Sequence, residues 1–153
     1  MNKKTVIKRI LPFLWLIVIW GHSFMPGEVS GGESNFVTQI ITKILPFIKN
    51  EQQAEGFIRK AAHFTEFAIL AVLIAIAFET FVKPGIKLAL NTVFSGLFAA
   101  FADETIQLFV EGRSGEIKDM WIDLAGVCTG TIIIMLFLCS KGSRRKKKEH
   151  TGT

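Results

Sequence analysis

Four long apolar stretches constrain the fold of this 153-residue chain more than any other feature of its sequence. They cover roughly residues 10–25, 61–82, 86–110 and 120–140. A helix needs about 20 apolar residues to cross the hydrocarbon core of a bilayer. The last three stretches reach that length, and the first reaches it by including interfacial or preceding basic residues. We therefore predict an all-α fold, a four-transmembrane-helix bundle.

The composition favours a membrane protein over a water-soluble or nucleic-acid-binding one. Half of the residues are hydrophobic (50%), including 14 Phe, which is more apolar surface than a soluble domain of this size needs. The net charge is +5, but the basic residues flank apolar stretches, as juxtamembrane charges do. We expect a membrane domain over residues 1–143 and a basic cytoplasmic tail over 144–153. The basic termini are expected to contact anionic lipids, and no nucleic acid is expected as a partner.

The distribution of Lys and Arg predicts how the bundle is oriented. The turn Lys83-Pro84-Gly85 joins the second and third stretches and makes these two helices antiparallel. With both termini in the cytoplasm, 12 of the 18 basic residues lie on the cytoplasmic side, as the positive-inside rule requires. Only Glu79 and Glu149, of the 13 acids, lie on that side. We predict a multi-pass protein of the cell membrane with its acids towards the extracytoplasmic face.

The loop between the first two apolar stretches contains a short segment with apolar residues at helical spacing. Ser34 is a suitable N-cap, and apolar residues follow at helical spacing until Pro46. The pattern indicates a short amphipathic helix lying in the outer interface. A hydrophobic flap packed on the bundle fits the same pattern equally well.

Polar side chains recur at one depth of the predicted bundle, near its outer end. Residues three or four positions apart share one face of a helix, so the second, third and fourth stretches each present polar groups on one face. A charged group at the centre of a bilayer costs about 2.5–3.5 kcal/mol on insertion scales, and several together indicate a function. We predict a water-accessible, largely anionic pocket that opens outwards, formed by Lys60, His63 and Glu66, by Asp103, Glu104 and Gln107, by Asp119 and Asp123, and by Arg113 in a loop.

At these residues the chain resembles the VanZ-like family, four-span bacterial membrane proteins named for a teicoplanin-resistance accessory protein. The segments that carry the resemblance are Arg59–Glu66 (RKAAHFTE), Asp103–Gln107 (DETIQ), and Gly112-Arg113 leading to Asp119 and Asp123. The first span of the family usually ends in a Ser-rich turn, whereas this chain has His22-Ser23. The resemblance implies a bacterial membrane protein that affects susceptibility to lipoglycopeptides such as teicoplanin, and it implies no particular reaction.

Two main functions remain open at the level of sequence. In the first, the pocket binds a cell-envelope ligand, either a lipid-linked wall precursor or the glycopeptide itself. Cations would then meet phosphate or carboxylate groups, while acids and amides would meet amines or hydroxyls. The ligand-binding residues of this interpretation are Lys60, Gln107, Arg113, Asp119 and Asp123.

The second is an enzyme, a hydrolase or transferase that acts on a lipid-linked envelope precursor. His63 and Glu66 would form an acid–base pair, and Asp103 and Glu104 complete the candidate catalytic residues. In this interpretation Asp103, Glu104 and Asp123 would bind a divalent cation. A proton- or cation-coupled transporter is a further alternative, but an acidic path to the cytoplasm would have only Glu79 in the cytoplasmic half.

Overall fold

The computed structural model describes residues 2–25, 51–111 and 117–151, and within these ranges it contains helices and no strand. The helices are α1 (Lys3–Ser23), α2 (Glu51–Phe78), α3 (Ile86–Gln107) and α4 (Ile117–Thr151). Each is long and apolar enough to cross a membrane, which confirms the predicted all-α, four-span architecture. The expected amphipathic helix near residues 34–45 and the candidate ligand Arg113 lie outside the described residues.

Helices α1, α2 and α4 begin earlier than their apolar stretches because charged residues also form helix readily. Helix α1 begins at Lys3 instead of residue 10, and the Asn2 side chain caps it by accepting a hydrogen bond from the Lys4 amide at 3.2 Å. Helix α2 likewise includes the polar segment that starts at Glu51. Helices α2 and α3 end at Phe78 and Gln107, a few residues before the ends of their apolar stretches, because the chain turns at these positions.

Contacts between α1 and the end of α2 define one end of the bundle. Lys8 Nζ lies 3.8 Å from Glu79 Oε2, and Arg9 Nε donates a hydrogen bond to Thr80 Oγ1 at 2.8 Å. The Arg9 guanidinium also lies 5.3 Å from the centre of the Phe81 ring. The start of α1 and the α2–α3 turn therefore share this end, and residues that end α1 and α3 lie at the other.

The most extensive helix contact joins α2 and α4, which run in the same direction. Gly126 and Gly130 of α4 are four residues apart and face the backbone of α2. A Cβ atom at these positions would overlap the carbonyl oxygens of Phe64 and Ala68, respectively. This is the close approach that small residues at i and i+4 permit between membrane helices.

Apolar side chains from all four helices pack together in the interior, and large apolar side chains also cover the outside. Buried residues of α2 such as Phe67 and Leu70 pack against Ile19 of α1, Ala100 of α3 and Val127 of α4. Exposed aromatic residues on α3 include Phe94, Phe98 and Phe101. An outer surface of this kind suits a lipid environment.

Substituting the glycines of the α2–α4 contact should destabilise the bundle. We expect Gly130→Ala to lower stability by about 1–3 kcal/mol, because the new methyl group forces two backbones apart. Gly56→Ala is the matched control, since nothing lies within 4 Å of its added Cβ and alanine favours a helix. Thermal unfolding in detergent should separate the two variants by several degrees. Equal melting temperatures would contradict the close approach.

Candidate functional site

A buried carboxylate, Asp103 of α3, is held by donors from two helices. Ser23 Oγ at the end of α1 donates to Asp103 Oδ1 at 2.6 Å. Gln107 Nε2, one turn further along α3, donates to Asp103 Oδ2 at 2.9 Å. All three side chains are at most 1% exposed. Such charge-assisted hydrogen bonds fix the position of the carboxylate in an environment that would otherwise oppose its charge.

His63 of α2 lies between this carboxylate and a second one, Asp123 of α4. Its Nδ1 atom is 3.3 Å from Asp123 Oδ1 and 3.8 Å from Asp103 Oδ2. Asp123 is fully buried, and the His63 side chain is 12% exposed. We call these five side chains the polar cluster: Ser23, His63, Asp103, Gln107 and Asp123.

Part of the polar cluster lacks hydrogen bonds. Among the described residues, neither carboxylate oxygen of Asp123 has a hydrogen-bond partner, nor does His63 Nδ1. The His63 and Asp123 atoms are close enough for an ion pair but are not aligned as a hydrogen bond. A buried polar atom without a partner costs about 1–3 kcal/mol, and more when it is charged.

A small cleft lies next to the polar cluster, and its rim carries cations. It is lined by Arg59, Lys60, His63, Asp119 and Ile122. One Arg59 guanidinium nitrogen donates to Asp119 Oδ2 at 3.0 Å, while Lys60 is exposed. His63 therefore lines the cleft and also belongs to the cluster.

Comparison with known proteins adds the family. A family model described as VanZ/LLP1 matches residues 10–138. The chain belongs to the VanZ/LLP1 family. The resemblance inferred from the sequence motifs is thereby confirmed. No curated protein and no solved structure matches the chain.

In this VanZ/LLP1 protein, two of the candidate acids lie apart from the contacts of His63. Glu66 Oε1 is 2.9 Å from Nδ1 of His22, which is largely exposed, so the structure pairs Glu66 with His22. The carboxylates that contact His63 are instead Asp103 and Asp123. Glu104 is buried, at 8% exposure, but it does not belong to the group whose ligand atoms converge.

The group that could hold a metal ion contains His63, Asp103 and Asp123. One ligand atom from each residue lies within 4.8 Å of the other two. The sequence interpretation had Glu104 in place of His63. Helix geometry explains the difference, because Glu104 follows Asp103 directly and neighbouring residues point about 100° apart around a helix.

The site also differs from the open anionic pocket expected from the sequence. Within the described residues, Asp103 and Asp123 are fully buried, and the cleft beside them has a mixed rim in which Asp119 pairs with Arg59. The structure brings Lys60, His63 and Gln107 to the same end of the bundle. Sequence reasoning did not assign roles to Ser23 or Arg59, although both occupy that depth, with Arg59 one turn from His63.

Removing the Asp103 carboxylate should destabilise the bundle, because two buried hydrogen-bond donors would then lack their acceptor. Asp103→Ala leaves Ser23 and Gln107 buried without an acceptor, so we expect a loss of about 2–5 kcal/mol in the free energy of unfolding. Thr105→Ala is the control, because its hydroxyl only bonds the Phe101 carbonyl within α3, at 2.7 Å. Thermal unfolding in nanodiscs provides the measurement. A mild Asp103→Ala phenotype would show that the hydrogen bonds contribute little.

Proposed function

We propose that this protein lies in a bacterial cell membrane and binds an anionic cell-envelope ligand at its extracytoplasmic face. Both termini would be cytoplasmic, and binding would lower susceptibility to teicoplanin or other lipoglycopeptides. The preferred ligand is the phosphate group of a lipid-linked wall precursor. Membership of the VanZ/LLP1 family and the cationic rim of the cleft support this proposal.

The charge distribution supports the orientation. The bundle end that contains Lys8, Arg9 and the α2–α3 turn is also the end towards which the basic tail extends. The positive-inside rule assigns such an end to the cytoplasm. The cleft and the polar cluster then face outwards, at the level where a lipid-linked precursor carries its phosphates.

The residues that line the cleft favour an anionic ligand. Lys60 is exposed, and the Arg59 side chain is about one third exposed at 36%, so both can reach a ligand. Guanidinium and ammonium groups bind phosphate oxygens through charge-assisted hydrogen bonds. The glycopeptide itself is the second ligand to test, because its amines could meet the acids of this end.

An enzymatic role is favoured by one specific observation, the position of His63 between two carboxylates. An imidazole held in this way can transfer a proton in the cleft that it lines. A membrane-embedded hydrolase or transferase acting on the same precursor is therefore the second candidate. Purified protein incubated with a lipid-linked precursor separates the candidates, since an enzyme forms a new product detectable by mass spectrometry and a binding protein returns the lipid unchanged.

Cysteine labelling tests the orientation. In a chain with Cys128 and Cys139 replaced by Ala, we expect a membrane-impermeant maleimide to label Leu108→Cys in intact cells. Lys83→Cys, at the opposite end, should be labelled only after the membrane is opened. The reverse pattern would place the cleft in the cytoplasm and would exclude binding of an extracytoplasmic ligand.

Charge reversal in the cleft tests the function. We expect Lys60→Glu to weaken binding of the precursor about tenfold or more, because a charge-assisted hydrogen bond contributes about 1.5–3 kcal/mol. The teicoplanin concentration that inhibits growth should fall to that of cells without the protein. Lys118→Glu is the matched control, an exposed lysine outside the cleft at the same end. Equal resistance of both variants, at equal protein levels, would overturn the proposal.

A further inference from the structure

We propose that His63, Asp103 and Asp123 together bind one zinc ion, at a site formed by three different helices below the cleft. The inference goes beyond the proposed function and does not depend on it. It rests on the convergence of the three ligand atoms and on the buried atoms that lack hydrogen bonds.

The distances between the ligand atoms fit a single small cation. Zinc binds nitrogen and oxygen at about 2.0–2.2 Å, so two ligands at tetrahedral angles lie about 3.4 Å apart. His63 Nδ1 is 3.3 Å from Asp123 Oδ1 and 3.8 Å from Asp103 Oδ2. Only small side-chain adjustments are needed for all three atoms to reach one ion.

The missing hydrogen bonds point to a ligand at the same position. Asp123 is fully buried, and among the described residues its two oxygens and His63 Nδ1 lack hydrogen-bond partners. A cation between them gives two of these atoms a partner at once. It also neutralises two carboxylates that would otherwise be buried close together at a considerable electrostatic cost.

The surrounding residues support one carboxylate as a metal ligand. Ser23 and Gln107 donate hydrogen bonds to the two oxygens of Asp103, at 2.6 and 2.9 Å. Outer-shell donors of this kind orient a ligating carboxylate. Gln107 bonds the Oδ2 atom that faces His63, and a carboxylate oxygen has lone pairs for both a donor and an ion.

The donor set favours zinc over magnesium or calcium. The latter two prefer six or more oxygen ligands, including water, whereas imidazole is a good ligand for zinc. Three protein ligands leave one position for water, which is the arrangement of catalytic rather than structural zinc sites. The site therefore bears on both candidate functions, either as a source of activated water or as a fixed positive charge.

Metal analysis of the full-length protein tests the inference. The chain is purified in detergent with a tag that contains no histidine, and its metals are measured by mass spectrometry. We expect about one zinc per chain, removal by a chelator with a lower melting temperature, and recovery on adding Zn²⁺ alone but not Mg²⁺ or Ca²⁺. Co²⁺ should replace zinc and give the visible absorption of a tetrahedral site, which tests the wild-type chain without any substitution.

Two matched variants test whether Asp123 is a zinc ligand. Loss of an outer-shell partner of a metal ligand weakens metal binding about 10–100-fold. Asp123→Asn removes a direct ligand, so it should weaken zinc binding by more than this. Asp119→Asn, one turn earlier on α4 and paired with Arg59, should bind zinc as the wild type does. If the wild-type chain holds no zinc and shows no zinc-dependent melting, the inference is wrong. It is also wrong if Asp123→Asn binds zinc unchanged. Either result leaves the Lys60→Glu resistance test unaffected, so the two proposals can fail separately.

Discussion

Two carboxylates buried within a lipid-facing bundle place the strongest physical demand on this structure. Asp103 and Asp123 are both 0% exposed, although a charge in a medium of low polarity is stable only when it has donors or a counter-ion. The required partners come from several helices: Ser23 from α1, His63 from α2 and Gln107 from α3. No single helix can meet this demand alone, so the polar cluster depends on the correct association of the whole bundle.

The glycine contact between α2 and α4 sets the register that the polar cluster needs. Along this interface, residues of α2 meet residues of α4 in order, starting from the end that contains the polar cluster: Arg59 with Asp119, His63 with Asp123, Phe64 with Gly126 and Ala68 with Gly130. Because the glycines bring the two backbones into contact, the helices cannot slide without a clash. A shift of one turn, about 5.4 Å, would separate His63 from Asp123 and Arg59 from Asp119. Packing in the apolar half thus positions the ionisable groups in the polar half.

Hydropathy and helical spacing in the sequence predicted the helices and the depth of the polar residues. The side-chain contacts between helices depend on how each helix is rotated, and these were predicted less well. The apolar stretches defined four helices, and the distances from the ends of these stretches predicted His63, Asp103 and Asp123 at a similar depth. Spacing along one helix cannot say which face meets a neighbour, so the choice of His22 over His63 as the partner of Glu66 required the structure. Gly126 and Gly130 form a small-xxx-small pattern that was readable in the sequence, and they would have identified α2 and α4 as closely packed helices.

Charge balance connects the cleft to the buried carboxylates. Without a bound cation, the two acids outweigh the single positive charge that His63 can contribute, and the remaining negative charge opposes an anion in the cleft. Asp119 already offsets Arg59, which leaves Lys60 as the main attraction for a phosphate group. A divalent cation at His63, Asp103 and Asp123 would cancel the buried negative charge and strengthen the field of the rim. Because coupling between two binding sites is reciprocal, an anion in the cleft would strengthen cation binding by the same factor. A metal ion in the acidic layer would therefore add to the attraction of the cleft for an anionic ligand, and Lys60 supplies part of that attraction with or without the ion.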